Sequence, residues 1–192
     1  MPELTITPDH IYHYGSKQLD GVTSIIRAEG FMPSSEFIDE WYMQRGSMVH
    51  LATALYDLGT LDESTIDDRI KGYLESWKKY REHTGIVYQK HEIEMMLCDT
   101  IYDFAGTLDR PDLDQKSGSF EPWHILQIGA YRRLWKSKNL TVNGGPDKTV
   151  YLDAEGGFPK VVKYDTLKLR QAENTFLCAL NVHRAKKEMR LI

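Results

Sequence analysis

The sequence predicts a mixed α/β (α+β) fold with a central mixed, mostly antiparallel sheet flanked by helices, in one domain spanning residues 1–192. Two observations support this prediction: apolar residues recur at helical spacing in some segments, and short β-rich segments lie between them. The elements run in the order helices, sheet, crossover helix, hairpin and closing helix, which places the helices against a sheet. A chain of 192 residues can bury a sizeable core in a single domain.

Helical segments are indicated by apolar stripes and by capping residues. The stripe of Ile70, Tyr73 and Trp77 is typical of a helix face packed against a core. A serine cap with an acidic first turn marks a helix start at Pro33-Ser34-Ser35-Glu36. The predicted helices cover residues 21–30, 33–59, 63–83, 122–138 and a long last segment capped by Asp165 or Thr166.

Extended segments are indicated by β-branched and aromatic residues between turn residues. We expect strands 100–109 and 113–117 to pair through a tight turn around Pro111-Asp112, and Cys98-Asp99 to form a turn before the first of them. The other predicted strands lie within 5–14 and at 86–88, 92–97, 149–152 and 161–164.

The charge of the chain excludes a protein that coats nucleic acid by bulk attraction, because the formal net charge is −4. Two local basic clusters remain, and each is either a DNA-binding strip or a solvated helix face. The clusters are Arg132, Arg133, Lys136 and Lys138, and Arg184, Lys186, Lys187 and Arg190.

No apolar run approaches the roughly 20 residues that a membrane helix needs, so we expect no membrane association. The amino terminus carries neither a basic region nor an apolar stretch of the kind that a secretory signal has. Cys98 and Cys178 lie far apart and are expected to be reduced, buried thiols. These features predict a cytoplasmic, intracellular protein.

Two carboxylates and a lysine come together in the segment from Asp109 to Lys116. If this segment forms a hairpin, Asp109 and Asp114 face each other with β-carbons about 5 Å apart. Carboxylates at that distance resist joint ionisation unless a cation lies between them. Lys116 follows Asp114 by two residues and therefore emerges on the same face of the strand. The segment predicts a site for a hard divalent cation, although a polar surface turn is the alternative interpretation.

Three further side chains and a helical histidine are candidates for the same site. His50 lies within a predicted helix between Gly46 and Ala54, and we expect these small neighbours to let the helix pack closely and direct the imidazole inward. A surface or core histidine is the alternative.

His124, Gln127 and Tyr131 share one face of the crossover helix, where Gln127 and Tyr131 offer donors to phosphate oxygens. The alternative is that this face of the helix has only a structural role. Glu92 and Glu94 are further carboxylates near the sheet.

The order of these motifs resembles the PD-(D/E)XK nuclease superfamily, most closely its RecB-like and phage-exonuclease branch. The resemblance covers roughly residues 20–180 and implies a restriction-endonuclease-like core. Each motif is short, and the specificity comes from four of them in the family's order. They are Arg45-Gly46-x-x-Val49-His50, Phe104-Ala105-Gly106-Thr107-Leu108-Asp109, Asp114-x-Lys116-Ser117-Gly118 and His124-x-x-Gln127-x-x-x-Tyr131.

The resemblance implies roles for particular residues. His50, Asp109 and Asp114, with the main-chain carbonyl of Gln115, would bind Mg²⁺ or Mn²⁺. Lys116 would be the catalytic lysine. The helix residues Gln127, Tyr131 and His124 would orient that lysine or contact the DNA backbone.

The implied function is a metal-dependent DNA nuclease, in particular an exonuclease of phage or recombination type. One departure from the family is the short connection of four residues, Arg110 to Leu113, between the two acidic motifs. Either this hairpin is unusually tight, or a mobile tip is absent from the chain. Two alternatives therefore stay open: a catalytically impaired DNA-binding or accessory protein that keeps the nuclease fold, and a structural domain that binds no metal. No phosphate-binding glycine-rich loop is present, so processive cleavage would require a ring-shaped homo-oligomer or a partner.

Overall fold

A computed structural model describes residues 2–33, 40–138 and 144–191 of the chain. The helices in this part of the chain are α1 (Val22–Ala28), α2 (Glu40–Asp57), α3 (Asp68–Thr84), α4 (His124–Ser137) and α5 (Thr166–Glu188). The strands are β1 (Leu4–Ile6), β2 (Tyr12–Tyr14), β3 (Lys17–Gly21), β4 (Met95–Asp99), β5 (Phe104–Leu108), β6 (Leu113–Lys116), β7 (Lys148–Tyr151) and β8 (Lys160–Lys163). Short 3-10 helices occupy Glu63–Thr65 and Lys90–Glu92.

The strands of the described chain form two mixed sheets with the orders β1-β2-β3-β5-β4 and β6-β7-β8. Only β3–β5 and β6–β7 pair in parallel among these ladders, so antiparallel pairs predominate. The predicted mixed α/β class, with mixed and mostly antiparallel sheets, is confirmed.

The prediction of one central sheet with a β5–β6 hairpin is wrong, because these strands belong to different sheets. The main-chain N–H of Gln115 in β6 donates to the carboxylate of Asp109 at 2.6 Å. The Asp109 side chain at the end of β5 thus accepts from the Gln115 N–H, a donor that pairing between β5 and β6 could have used. The two sheets meet at this point.

The strand prediction also failed around residues 86–103. Residues 86–88 are not a strand, and Cys98-Asp99 belongs to β4 instead of forming a turn. The turn comes next, because the carboxylate of Asp99 accepts hydrogen bonds from the N–H groups of Ile101 and Tyr102 at 2.9 Å. Such local side-chain bonds compete with strand pairing, and β5 therefore begins only at Phe104.

The helix predictions agree better with the structure. The carboxylate of Asp165 accepts from the N–H of Lys168 at 2.8 Å and caps α5, as expected. The predicted helix start at Ser34–Glu36 and the loop residue Asn143 lie outside the described residues. None of the helices in the described ranges is long and apolar enough to cross a membrane.

The two largest apolar clusters of the described core lie on either side of the sheet junction. In one, Phe104 of β5 packs on Phe176 of α5 with ring centroids 5.0 Å apart. In the other, α2 and α3 pack around fully buried Trp77. Both cysteines are free thiols, but the prediction that they are buried is wrong: Cys98 is half-buried and Cys178 is exposed, on the outer face of α5. The junction between the clusters is where the candidate site lies.

Candidate metal centre

Asp109 and His50 meet at the junction of the two sheets. Asp109 follows β5 directly, and α2 carries His50 across its end so that imidazole Nδ1 lies 3.1 Å from carboxylate Oδ1. The other oxygen, Oδ2, accepts the main-chain N–H of Gln115 at 2.6 Å. Asp109 is buried, and its carboxylate is fixed from two sides.

Glu94 completes a group that could hold a metal ion. One ligand atom from each of His50, Glu94 and Asp109 lies within 4.8 Å of the other two, and it is the one such group found in the described part of the chain. Glu94 precedes β4 and adopts φ +51°, and its N–H donates to the carbonyl of Asp109 at 3.1 Å. The sequence marked Glu94 only as a carboxylate near the sheet.

Asp114 belongs to a second branch of the site. Its buried carboxylate lies 2.7 Å from the ammonium nitrogen of Lys116, which confirms that these two side chains share a face of β6. Lys116 also donates to Oε1 of Gln127 at 2.8 Å, and the Gln127 amide donates to the hydroxyl of Tyr131 at 2.8 Å. The predicted face of α4 thus reaches the lysine through Gln127.

Asp114 does not join His50, Glu94 and Asp109 in their mutual 4.8 Å group. The expected trio was His50, Asp109 and Asp114. In the structure the three side chains that converge are His50, Asp109 and Glu94, so Glu94 takes the place expected for Asp114. The reason is the missing β5–β6 pairing, which would have set the two aspartates opposite each other. Gln115 lies beside Asp109 through its main chain, and its side-chain amide donates to Thr53 at 3.0 Å.

His124 lies at the start of α4 and is neutral at physiological pH. Burial, followed by the charge of Lys116, lowers the pKa of its imidazole to about 3. Its Nδ1 accepts the N–H of Glu121 at 3.3 Å and lies 2.9 Å from the hydroxyl of Tyr151. His124 therefore borders the site as a neutral polar group and carries no positive charge for a phosphate.

The site holds more carboxylate than its own cations neutralise. Burial, together with the charge of Asp109, raises the pKa of Glu94 to about 7 and that of Asp114 to about 6. Burial would also raise the pKa of Asp109, but His50, Lys116 and the Gln115 N–H outweigh it and lower that pKa. Burial would lower the pKa of His50, yet Asp109 and Glu94 raise it instead.

These residues fit a hard divalent cation. Oε1 of Glu94 is buried without a hydrogen-bond partner, and the nearest guanidinium nitrogen, of Arg110, lies 3.7 Å away. A buried acceptor left unsatisfied is costly, and a cation would satisfy it. Carboxylate oxygens and one imidazole are ligands that Mg²⁺ or Mn²⁺ accepts.

Residues along one face of α2 contact several parts of the site. His50, Thr53 and Asp57 are spaced to share one face of the helix. Arg110, fully buried beside Asp109, donates to Asp57 at 2.8 Å and to the Thr53 carbonyl at 3.3 Å. The sequence analysis missed Asp57 and Arg110, because an isolated acid and an isolated arginine carry no sign of burial.

The connection of residues 109–112 is short and is anchored by side-chain hydrogen bonds. Asp112 accepts a hydrogen bond from the hydroxyl of Tyr88 at 2.8 Å, and Arg110 is anchored on α2. The register of β6 relative to Asp109 is set by the Gln115 N–H. The short connection thus brings the two acidic segments together through side-chain hydrogen bonds, although β5 and β6 do not pair.

An open cleft of about 780 Å³ lies beside this site. Gly46 borders it, and a Cβ added there would meet nothing within 4 Å. The expectation that Gly46 lets α2 pack closely against its neighbours is therefore wrong. Among the residues that line the cleft are His50, Lys116, Gln127, His124, Arg45 and Trp123.

No protein-family model matches this chain, and a search of curated proteins found no relative.

Proposed function

We propose that this protein is a metal-dependent DNA nuclease that hydrolyses phosphodiester bonds with Mg²⁺ or Mn²⁺. The observation that carries the proposal is the convergence of His50, Glu94 and Asp109 within 4.8 Å of one another, next to the Lys116 ammonium group. DNA as the substrate is an inference from the resemblance to the PD-(D/E)XK superfamily.

In this proposal His50, Glu94 and Asp109 hold the cation, and Asp114 with the Gln115 carbonyl lies next to it on β6. When bound, a divalent cation polarises a phosphate oxygen and lowers the pKa of an adjacent water. The raised pKa of Glu94, about 7, matches a carboxylate that lacks its cation.

Lys116 is held for a charge-stabilising role. Asp114 and Gln127 contact its ammonium group from two sides, and the group borders the cleft. Because the Gln127 amide donates to the oxygen of Tyr131, its carbonyl oxygen must face Lys116. In this proposal the ammonium would stabilise the negative charge that a bound phosphate gains during hydrolysis, the kind of preorganised contact that accelerates phosphoryl chemistry.

The test is DNA cleavage by purified protein, with linear and circular substrates, in Mn²⁺, in Mg²⁺ and in a chelator. We expect cleavage only with metal; cutting of linear but not circular DNA would support the exonuclease assignment. Asp109→Asn and Lys116→Met should each lower the rate by on the order of 10²-fold or more. Asp68→Asn and Lys71→Met are matched controls, because this ion pair is exposed on α3.

Cutting by Asp109→Asn and Lys116→Met at the wild-type rate would contradict the proposal. Metal binding by calorimetry without cleavage would favour an accessory protein that binds DNA and has lost turnover. If the protein neither binds metal nor cleaves DNA, the result would favour a structural domain. Unchanged thermal unfolding of each variant shows that the fold is intact.

A further inference from the structure

Two residues in each of the basic clusters on the surface are paired with carboxylates. In the α4 cluster, Arg133 contacts Asp99 at 3.0 Å, and Lys136 contacts Glu173. In the α5 cluster, Lys186 contacts Glu29 at 2.7 Å, and Lys187 contacts Asp20. A charge paired in this way attracts a nucleic-acid backbone less strongly, so these four residues do not define a phosphate site.

Arg45 differs from these residues. It lies on α2, lines the cleft, and has no carboxylate within 4.0 Å among residues 2–33, 40–138 and 144–191. Its Nε atom is buried and has no hydrogen-bond partner in the described part of the chain. A guanidinium that borders a cleft without a counter-charge has the chemistry of an anion site.

The guanidinium of Arg45 is held in position by its neighbours. It lies 4.7 Å from the ring centre of Tyr42 and 5.6 Å from that of Tyr73. Cation–π contacts of this kind fix the plane of the group without consuming its charge. Its Nη2 lies 3.8 Å from the position of a Cβ added to Gly118, so it stands over the loop that follows Lys116.

The surroundings of Arg45 leave room for a ligand. Gly46 beside it carries no side chain, and an added Cβ would meet no atom of the described residues within 4 Å. The indole N–H of Trp123, which also lines the cleft, is buried without a hydrogen-bond partner. Glu121 and Asp153 line the cleft as well, and their charge would oppose an anion placed close to them.

We propose that Arg45 binds a backbone phosphate of the nucleic-acid strand, distinct from the phosphate that is cleaved beside Lys116. The inference rests on the proposed function and extends it by assigning the cleft to the sugar-phosphate backbone. The planar guanidinium fork matches the oxygens of a phosphate in a bidentate geometry. Gly46 and Gly118 keep side chains out of the strand's path between Arg45 and Lys116.

The first test measures DNA binding without catalysis. A fluorescent 12-nucleotide strand and its duplex are titrated with the protein in a chelator at several salt concentrations, with anisotropy as the readout. Arg45→Met should weaken binding about fivefold to tenfold and reduce the salt slope by about 1. Arg45→Lys keeps the charge, so it should keep the slope and recover part of the affinity.

Two further variants separate charge from shape. Lys71→Met removes an exposed lysine of α3 outside the cleft and should bind as the wild type does. Gly46→Leu adds a side chain to the open face of α2, and it should weaken binding without changing the salt slope. Wild-type affinity of Gly46→Leu would place the strand away from α2 and overturn the proposal.

The binding test is independent of turnover. If the wild type cleaves, Arg45→Met should raise KM and leave kcat within about twofold, since a contact away from the reacting phosphate contributes uniform binding. If the wild type binds DNA in an Arg45-dependent manner but never cleaves, the phosphate site stands and the nuclease proposal fails. Equal affinities and salt slopes for the wild type and Arg45→Met, or no DNA binding by the wild type at low salt, would overturn the Arg45 site.

Discussion

Two buried clusters of charged residues include residues of α2 that are seven positions apart, His50 and Asp57. The two clusters differ in whether each charged group has a partner. The balanced cluster consists of Asp57, Arg81 and Arg110. Asp57 accepts hydrogen bonds from both guanidinium groups, and Arg110 is packed against the rings of Trp77 and Tyr88 at 5.3 and 5.5 Å. Every charge there has a partner, as the stability of a buried ion pair requires.

The acidic cluster of His50, Glu94, Asp109 and Asp114 is not balanced. Its carboxylates face one imidazole and one ammonium group, and Glu94 Oε1 lacks a hydrogen-bond partner. The raised pKa values of Glu94 and Asp114, about 7 and about 6, record the cost of that excess. One fold thus gives every charged group of the structural cluster a partner of opposite charge and leaves Glu94 Oε1 of the acidic cluster without a hydrogen-bond partner among the described residues, which supports a cation as that partner.

The two clusters are also mechanically linked. Arg110 follows Asp109 directly, and its guanidinium donates to the Asp109 carbonyl as well as to Asp57. The balanced cluster therefore holds the strand end that presents Asp109, while the same helix presents His50. Breaking one cluster should cost stability, and breaking the other should cost metal binding.

The largest effect is expected in the balanced cluster. Arg110→Met removes one of the two guanidinium partners of buried Asp57 and the bonds of Arg110 to the Asp109 and Thr53 carbonyls, and we expect a cost of about 3 kcal/mol, the lower end for a broken buried pair because Arg81 remains. Urea unfolding measures the loss, and Lys71→Met serves as the exposed control with a change below about 0.5 kcal/mol. The double variant Asp57→Asn with Arg110→Met should lose less than the sum of the two single variants. Equal small losses for Arg110→Met and Lys71→Met would refute the distinction between clusters.

A divalent metal should stabilise the protein only through the acidic cluster. At a free Mn²⁺ concentration one hundredfold above Kd, binding to the folded state adds about 2.7 kcal/mol to the free energy of unfolding. Asp109→Asn removes a ligand oxygen and should abolish this gain, whereas Asp68→Asn on the surface of α3 should keep it. Thermal unfolding with and without Mn²⁺ gives the comparison. An equal gain in Asp109→Asn would place the ion elsewhere.

The parts of the site that sequence could predict are those that depend on local spacing. Asp114 and Lys116 share a face because side chains alternate along a strand, and Gln127 meets Tyr131 because helix neighbours are four residues apart. The helix with His50 and the mixed α/β class follow from apolar spacing in the same way. None of these needs knowledge of how distant segments pair.

The parts that sequence could not predict depend on long-range packing. Glu94 stands opposite Asp109 because β4 pairs with β5 in the register Met95 to Leu108, and no local pattern fixes that register. The division into two sheets is equally long-range: β6 pairs with β7, which lies more than 30 residues further along the chain, and the Gln115 N–H of β6 donates to the Asp109 carboxylate. The burial of Arg110 is equally hidden, since an arginine is seldom fully buried without a partner.

The smallest expected effect is a change in the free energy of unfolding with pH, which depends on Glu94 of the acidic cluster. The pKa of Glu94 in the folded, metal-free protein is raised to about 7, so the folded state keeps a proton that the unfolded chain has already lost. Its contribution to stability therefore falls as pH rises from the ordinary glutamate value, 4.5, to about 7, and the loss remains above that. Glu94→Gln removes the charge and should stabilise the metal-free protein at pH 8 by a few tenths to about 1 kcal/mol, a modest amount because Glu94 is partly exposed.

At pH 4, below the ordinary glutamate value of 4.5, Glu94 is protonated in the folded protein and mostly protonated in the unfolded chain, so the same substitution should change little in the metal-free protein. Urea unfolding of the wild type and Glu94→Gln at pH 4 and pH 8, in a chelator, measures the difference. Glu75→Gln is the matched control, because Glu75 is an exposed residue of α3 paired only with Lys78. If Glu94→Gln destabilised the protein at pH 8, the carboxylate would already have a partner that satisfies it, and the acidic cluster would be as balanced as that of Asp57.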